Sequence, residues 1–167
     1  NSKILGADEK KIIILHGFLG SLDNWVTFAK KLSNNGYEVH LIDQRNHGKS
    51  FHSDDFNYEL MANDLYKYLY EKNINKTSIL GHSMGGKTAM LYSLMYPDTI
   101  NKLIVVDILP VNYNTNYDEI FEALLEIDLK EIKSRNDFNI HLNKHFDDPN
   151  FILFLSKNLQ MTNDGRF

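Results

Sequence analysis

Two rhythms of apolar positions alternate along the chain. KIIILHG (11–17) is a short aliphatic run closed by glycine, the pattern of a buried strand. LDNWVTFAKKLSNNG (22–36) then carries Leu22, Trp25, Val26, Ala29 and Leu32 at helical spacing, with Asp23 as the expected N-cap and Gly36 as terminator. YEVHLID (37–43) returns to strand, and QRNHGKSFHSDDF (44–56) is a polar, turn-rich loop. Leu60, Met61, Leu65, Tyr68 and Leu69 predict a helix over 57–73. TSILGH (77–82) predicts a third strand, MGGKTAMLYSLMYP (84–97) a helix stopped by Pro97, and NKLIVVD (101–107) a fourth strand. Strands alternating with helices of this length imply a mainly parallel sheet with helices on both faces, a doubly wound α/β architecture.

After Pro110 the strand rhythm stops. Between 118 and 161 only amphipathic helical segments are expected. DEIFEALLEI (118–127) is the first, and Asp128 with Glu131 predicts a capping box for a short second one. DDPNFILFLSKNLQM (147–161) opens a third, with Asp148 as cap and Pro149 at the first helical position. The expected organisation is a core over residues 1–110 and a helical insertion over 111–167, lying above the sheet.

Composition narrows the setting more than the chemistry. The 167 residues suffice for a domain with a real core, and a net charge of −4 gives no reason to expect nucleic acid or anionic membrane as partner. The absence of cysteine excludes disulfides and leaves cytoplasm as the default compartment. No apolar run approaches the roughly 20 residues of a membrane span. The polar start NSKILGADEKK has no signal-peptide character and no initiator methionine, so the chain is not expected to begin where translation does.

The chemistry concentrates in ILGHSMGGKTAM (79–90), which satisfies two patterns at once. Gly81-x-Ser83-x-Gly85 is a nucleophile elbow, and Gly81-x4-Gly86-Lys87-Thr88 is a phosphate-binding loop. Both need strand, loop and helix, and Asp107 at the end of the next strand would suit a magnesium-binding aspartate in the second case. The elbow requires small residues flanking the serine and a helix that begins at Met84, whereas a phosphate loop leaves 82–85 as an open cradle. HGFLGS (16–21) favours the elbow, because acyl transfer needs backbone N–H donors aimed at a developing oxyanion. Met84, following the nucleophile, supplies one donor, and Phe18, just past the first strand, is the best placed second. Nucleotide binding gives that loop no role.

Taken in order, HGFLGSLDNW, DQRNHGKS, GHSMGGK and VVDILPVNY closely resemble the α/β-hydrolase superfamily, and within it the YbfF-type esterase branch. The resemblance runs from about Lys11 to the end. It implies a serine hydrolase of the α/β-hydrolase fold, cleaving carboxylic ester or acyl thioester bonds of small molecules through an acyl-enzyme, without cofactor or metal. Ser83 is then the nucleophile and Asp107 the triad acid, and Arg45, Asn46 and His47 brace the active-site loops. The bland alternatives are a serine N-cap for Ser83 and an aspartate closing the turn before Pro110 for Asp107.

The histidine is missing from this scheme. In this fold it follows serine and acid in the chain, and only His141 and His145 come after Asp107. Both are expected to be exposed helix residues, since HLNKH lacks the glutamate of a metal-binding H-E-x-x-H. His16, His40, His47, His52 and His82 are assigned structural or loop roles, and Lys87 a solvated surface position. The chain closes at NDGRF, about where the family's next strand would begin, so it is expected to be an N-terminal fragment, inactive alone. A nucleotide-binding protein and a non-catalytic receptor or scaffold of the same fold remain the alternatives, with a lyase of the same superfamily a minor one.

Overall fold

The structure, a computed structural model, describes residues 1–113, 117–162 and 165. Of the closing NDGRF, all but Gly165 lies outside the described residues. The chain divides into two compact units, Asn1–Pro110 and Val111–Phe167.

The first unit is a sheet with helices on both faces. Its strands are β1 (Ser2–Leu5), β2 (Lys11–Leu15), β3 (Glu38–Ile42), β4 (Thr77–His82) and β5 (Ile100–Val106). The helices are α1 (Val26–Ser33), α2 (Tyr58–Glu71) and α3 (Met84–Met95). The strand order is β1-β3-β2-β4-β5, with β1 antiparallel to β3 and the remaining pairs parallel. Period-two alternation explains why β2 is apolar throughout. Ile13 and Leu15 point to a core shared with Leu65 and Leu69 of α2 and Ala89 and Tyr92 of α3. Ile12 and Ile14 point the other way, to Val39, Leu41 and Ala29 of α1.

β1 has no counterpart in the expectations. SKIL is short, contains Lys3 and is only half-buried, so its place rests on backbone pairing with β3 rather than on a hydrophobic pattern. Lysine on an edge strand also discourages further pairing. Three strands therefore precede β4. The entry to α1 differs too. A 3-10 turn, Leu22–Trp25, comes first, capped by Ser21, whose N–H donates to Asn24 Oδ1 at 2.7 Å. Asp23 sits inside that first turn, where its charge favours the helix N-terminus without capping it.

The second unit holds α4 (Asp118–Leu125), α5 (Arg135–Leu142) and α6 (Pro149–Ser156). The capping box lies at Ser134 and Asp137, not at Asp128 and Glu131. Asp137 N–H donates to Ser134 Oγ at 3.2 Å, and Ser134 N–H returns a bond to Asp137 Oδ2 at 2.8 Å. Asp128 only closes a turn, by accepting from Lys130 N–H at 2.9 Å. Asp148 caps α6 as expected, accepting from Asn150 N–H at 2.9 Å. Phe138, Leu142, Ile152, Leu155 and Leu159 are buried, and the Arg135 guanidinium bonds the carbonyls of Ser156 and Leu159. His141 and His145 are half-buried rather than exposed, because the chain after α5 keeps a helical turn and folds His145 back beside His141. Among the described residues, no helix is long and apolar enough to cross a membrane.

Ile79 is fully buried in the middle of β4. Ile79→Ala should lower the unfolding free energy by about 2–5 kcal/mol. Leu94→Ala, at a position 79% exposed, should stay within about 0.5 kcal/mol. Urea unfolding midpoints of the two variants check the contrast.

Candidate active site

The chain turns from β4 into α3 within a single residue. Ser83 has φ 48° and ψ −114°, a left-handed conformation that a residue with a side chain rarely adopts. Its N–H donates to Val106 O at 3.0 Å, and its carbonyl accepts from Lys87 N–H at 3.1 Å. The flanking glycines leave no room for anything larger. A methyl group at Gly81 would run into the Gly85 carbonyl, and one at Gly85 would stand 2.6 Å from His16 O. Strand, helix and the end of β2 therefore meet around the serine backbone to backbone.

The helix begins at Met84, which places Gly85, Gly86 and Lys87 in its first turn. A phosphate cradle would need those glycines open, but all of 84–86 is buried. Lys87 is half-buried on this helix rather than fully solvated.

The 16–21 loop reaches the serine from β2. A methyl group at Gly17 would lie 3.3 Å from Ser83 Cβ and 2.8 Å from His82 Nδ1, so the loop backbone passes directly beside the elbow. Phe18 follows immediately, and its ring meets His47 edge-on with centroids 5.7 Å apart. Leu19, at φ 57°, donates its N–H to His47 Nε2 at 3.2 Å. Gly20 N–H closes the turn on Gly17 O at 3.0 Å.

Residues 43–50 hold that loop from beneath. His16 Nδ1–H donates to Gly17 O at 2.8 Å, while its Nε2 accepts from Gln44 N–H at 3.0 Å. The ring is therefore a neutral imidazole with both nitrogens in use, and its burial pushes the pKa down to about 4. His47 repeats the scheme, with Nδ1–H on Arg45 O at 2.9 Å and its pKa also lowered by burial. Asp43 accepts from Leu22 N–H at 2.7 Å and from Lys49 N–H at 2.9 Å. Arg45 grips Asp64 with Nε at 2.6 Å and Nη2 at 2.9 Å and bonds Asp55 O at 2.8 Å. Asn46 and Ser53 exchange bonds of 2.9 and 2.7 Å.

Asp107 follows β5 directly, at φ 55°. Its predecessor Val106 holds the Ser83 amide, and its exposed carboxylate lies 3.8 Å from His82 Nε2. Phe18, Met84 with Ser83, and Asp107 thus follow three neighbouring parallel strands, β2, β4 and β5, at their carboxyl ends. That edge is where open α/β sheets bind ligands. His82, expected at the end of the third strand with a structural or loop role, is the histidine beside Asp107. Asp43 was not singled out, although the glycine at 48 was a signal: a methyl group there would strike the Asp43 carboxylate.

The family model described as alpha/beta hydrolase fold matches residues 10–160. Esterase YbfF of Escherichia coli is 37% identical over 147 residues, covering 87% of this chain and 58% of the relative. An sn-1-specific diacylglycerol lipase, ABHD11 of Danio rerio, is 36% identical over 163 residues, covering 93% of this chain and 51% of the relative. A solved structure described as a marine microorganism esterase superposes with a TM-score of 0.95 at 41% identity, covering 99% of this chain and 66% of its own. The chain spans about half the length of the curated relatives it matches.

The neutral state of His16 has a consequence for pH. Its folded pKa of about 4 lies below the ordinary value of 6.5. Between these two pH values the unfolded chain takes up a proton that the folded ring refuses. Stability from this group is therefore fully present above pH 6.5 and is lost as pH falls toward 4, by about 3 kcal/mol in total. His47 contributes with the same sign. Urea midpoints measured between pH 7 and pH 4 should fall for the parent chain, and fall less steeply for His16→Gln. Equal slopes would remove His16 as the source.

Proposed function

The chain belongs to the α/β-hydrolase fold family, and we propose that it carries the nucleophile, the acid and the oxyanion donors of an enzyme hydrolysing carboxylic esters or acyl thioesters of small molecules. The observation that carries this reading is the left-handed backbone of Ser83 at a strand-to-helix turn, with the Gly17 backbone alongside. A turn of this shape lifts a side-chain oxygen clear of the sheet edge and leaves the next amide pointing at the same space.

In the proposed reaction Ser83 Oγ attacks the carbonyl carbon as its proton passes to a histidine. The carbonyl π electrons move to oxygen, and the amides of Met84 and Phe18 receive the negative charge. Each donor is worth about 3–4 kcal/mol at the transition state. Collapse of the tetrahedral intermediate breaks the bond to the alcohol or thiol, which leaves with the proton held by the histidine. Water then repeats the sequence on the acyl-enzyme and frees the acid. Asp107 orients the imidazole and stabilises its charged form. The chain order of this fold, serine, acid, then histidine, assigns the base to the length of the relatives that this chain does not span. On this reading the 167 residues alone do not turn over.

Relatives named an esterase and a diacylglycerol lipase support the carboxylic-ester half of this reading. The helical start at Met84 argues against the nucleotide-binding alternative, since the glycines of that motif are packed rather than open.

A fluorophosphonate probe tests the assignment on the whole protein. Labelling should occur at one site and disappear in Ser83→Ala; labelling that persists in the variant sinks the proposal. Asp107→Asn should keep the fold and lower kcat by roughly 10³–10⁴-fold, read with a short-chain aryl ester.

A further inference from the structure

The second unit contains a cluster that ester hydrolysis does not use. Glu126 directly follows α4, His141 lies in the last turn of α5, and His145 lies just beyond that helix. After Leu142 the chain keeps a tight helical turn, with Phe146 N–H on Leu142 O at 2.9 Å and His145 N–H on the same carbonyl at 3.0 Å. The i,i+4 spacing therefore survives past the helix end, and the two imidazoles face each other with centroids 5.4 Å apart and planes 34° apart. One ring nitrogen of each and a Glu126 carboxylate oxygen all lie within 4.8 Å of one another.

An ion pair accounts for only part of this. His145 Nε2 lies 3.3 Å from Glu126 Oε2, so a proton on His145 satisfies the carboxylate. It does nothing for His141 Nε2, which is buried and has no hydrogen-bond partner among the described residues. A buried polar atom left unpaired costs about 1–3 kcal/mol, and the ring that carries it lies beside two further groups that are acceptors when unprotonated. One positive centre between them would satisfy all three.

We propose that Glu126, His141 and His145 bind a divalent transition cation of the zinc class. Two imidazole nitrogens and one carboxylate oxygen form a donor set that zinc accepts, with a fourth position left for water. Zinc bonds of about 2.0–2.1 Å place tetrahedral ligand atoms about 3.3–3.4 Å apart, which matches the separation of 3.3 Å already present between His145 and Glu126. All three ligand atoms already lie within 4.8 Å of one another, and Glu126, whose side chain is 61% exposed, has space to adjust its carboxylate. The borderline nitrogen ligands favour zinc, cobalt or nickel over magnesium or calcium. The cation would tie the C-terminal end of α4 to that of α5. HLNKH supplies two of the three protein ligands, and the glutamate that its own motif lacks comes from the end of α4.

Titration of the 167-residue chain with Co²⁺, followed by its visible d–d absorption, tests the site. The expected result is saturation at one equivalent, displacement by Zn²⁺ and indifference to excess Mg²⁺. Glu126→Gln and His145→Gln should each weaken binding by about tenfold or more, while His52→Gln, at an exposed position, should leave it unchanged. Histidine-selective ¹H–¹⁵N spectra of the unsubstituted chain supply a reading that no misfolded variant can confuse. Zn²⁺ should move the ring signals of His141 and His145 together and leave those of His16 and His40 in place. Absence of saturable binding, binding equal in the parent and both ligand variants, or shifts confined to His52 would each overturn the proposal.

Discussion

A serine held at φ 48° sits about 1–3 kcal/mol above its relaxed backbone, and everything near the sheet edge is arranged so that it cannot relax. The hydrogen bond from Ser83 N–H to Val106 O pins the turn to β5, and the bond from Lys87 N–H commits the next residues to helix. The missing side chains at Gly81 and Gly85 then let α3 descend onto the ends of β2 and β4. Strain at one residue is thus maintained by close approach of three backbones. The chemical return is positional, since a residue unable to rotate away presents its oxygen and the following amide in a constant relation.

The loop beside the serine depends on a different kind of order. Phe18 and Leu19 in the 17–21 loop are only partly buried, so the loop is also fixed by polar groups that are themselves buried, and those must be fully satisfied. His16 and His47 each spend a donor on a backbone carbonyl and an acceptor on a backbone amide, which leaves no place for a second proton. Asp43 and Arg45 extend the support outward to 3-10 turn and helix, through Leu22 and Asp64. The pH dependence of folding and the placement of the 16–21 loop therefore share one origin, two imidazoles kept neutral.

Elements that bury an alternating or helical stripe were legible in the residues: β2, β4, α2 and α3 all lie within a residue or two of where the apolar rhythm puts them. β1 was not, because an edge strand of four residues is specified by its neighbour's unpaired backbone, which no local pattern records. The caps misled for a related reason. Asp23 and Asp128 are good caps chemically, but Ser21 and Ser134 are the residues with extended backbone at the helix entries, and that depends on where the preceding chain comes from. Around the serine, local motifs named Ser83, Met84 and Phe18, whose positions follow from strand ends. His82 beside Asp107, and Glu126 beside His141 and His145, come from separate stretches of chain, and only the fold brings each set together.

The same twelve residues, ILGHSMGGKTAM, spell a phosphate loop as well as an elbow, and the difference lies in what the glycines are used for. Both designs exploit the unpaired amides at a helix N-terminus. A phosphate loop keeps several of them open for a ligand that is charged when it arrives, so its glycines must stay outside the helix. An elbow needs one such amide for a charge that exists only transiently. Its glycines are then free for packing: Gly85 against the carbonyls of Leu15 and His16, and Gly86 against Ile108, where a methyl group would come within 2.6 Å. With the helix starting at Met84 the glycines are enclosed, and Lys87 is carried into the first turn instead of projecting from an open loop. Where α3 begins is therefore the physical feature that separates the two readings of the motif.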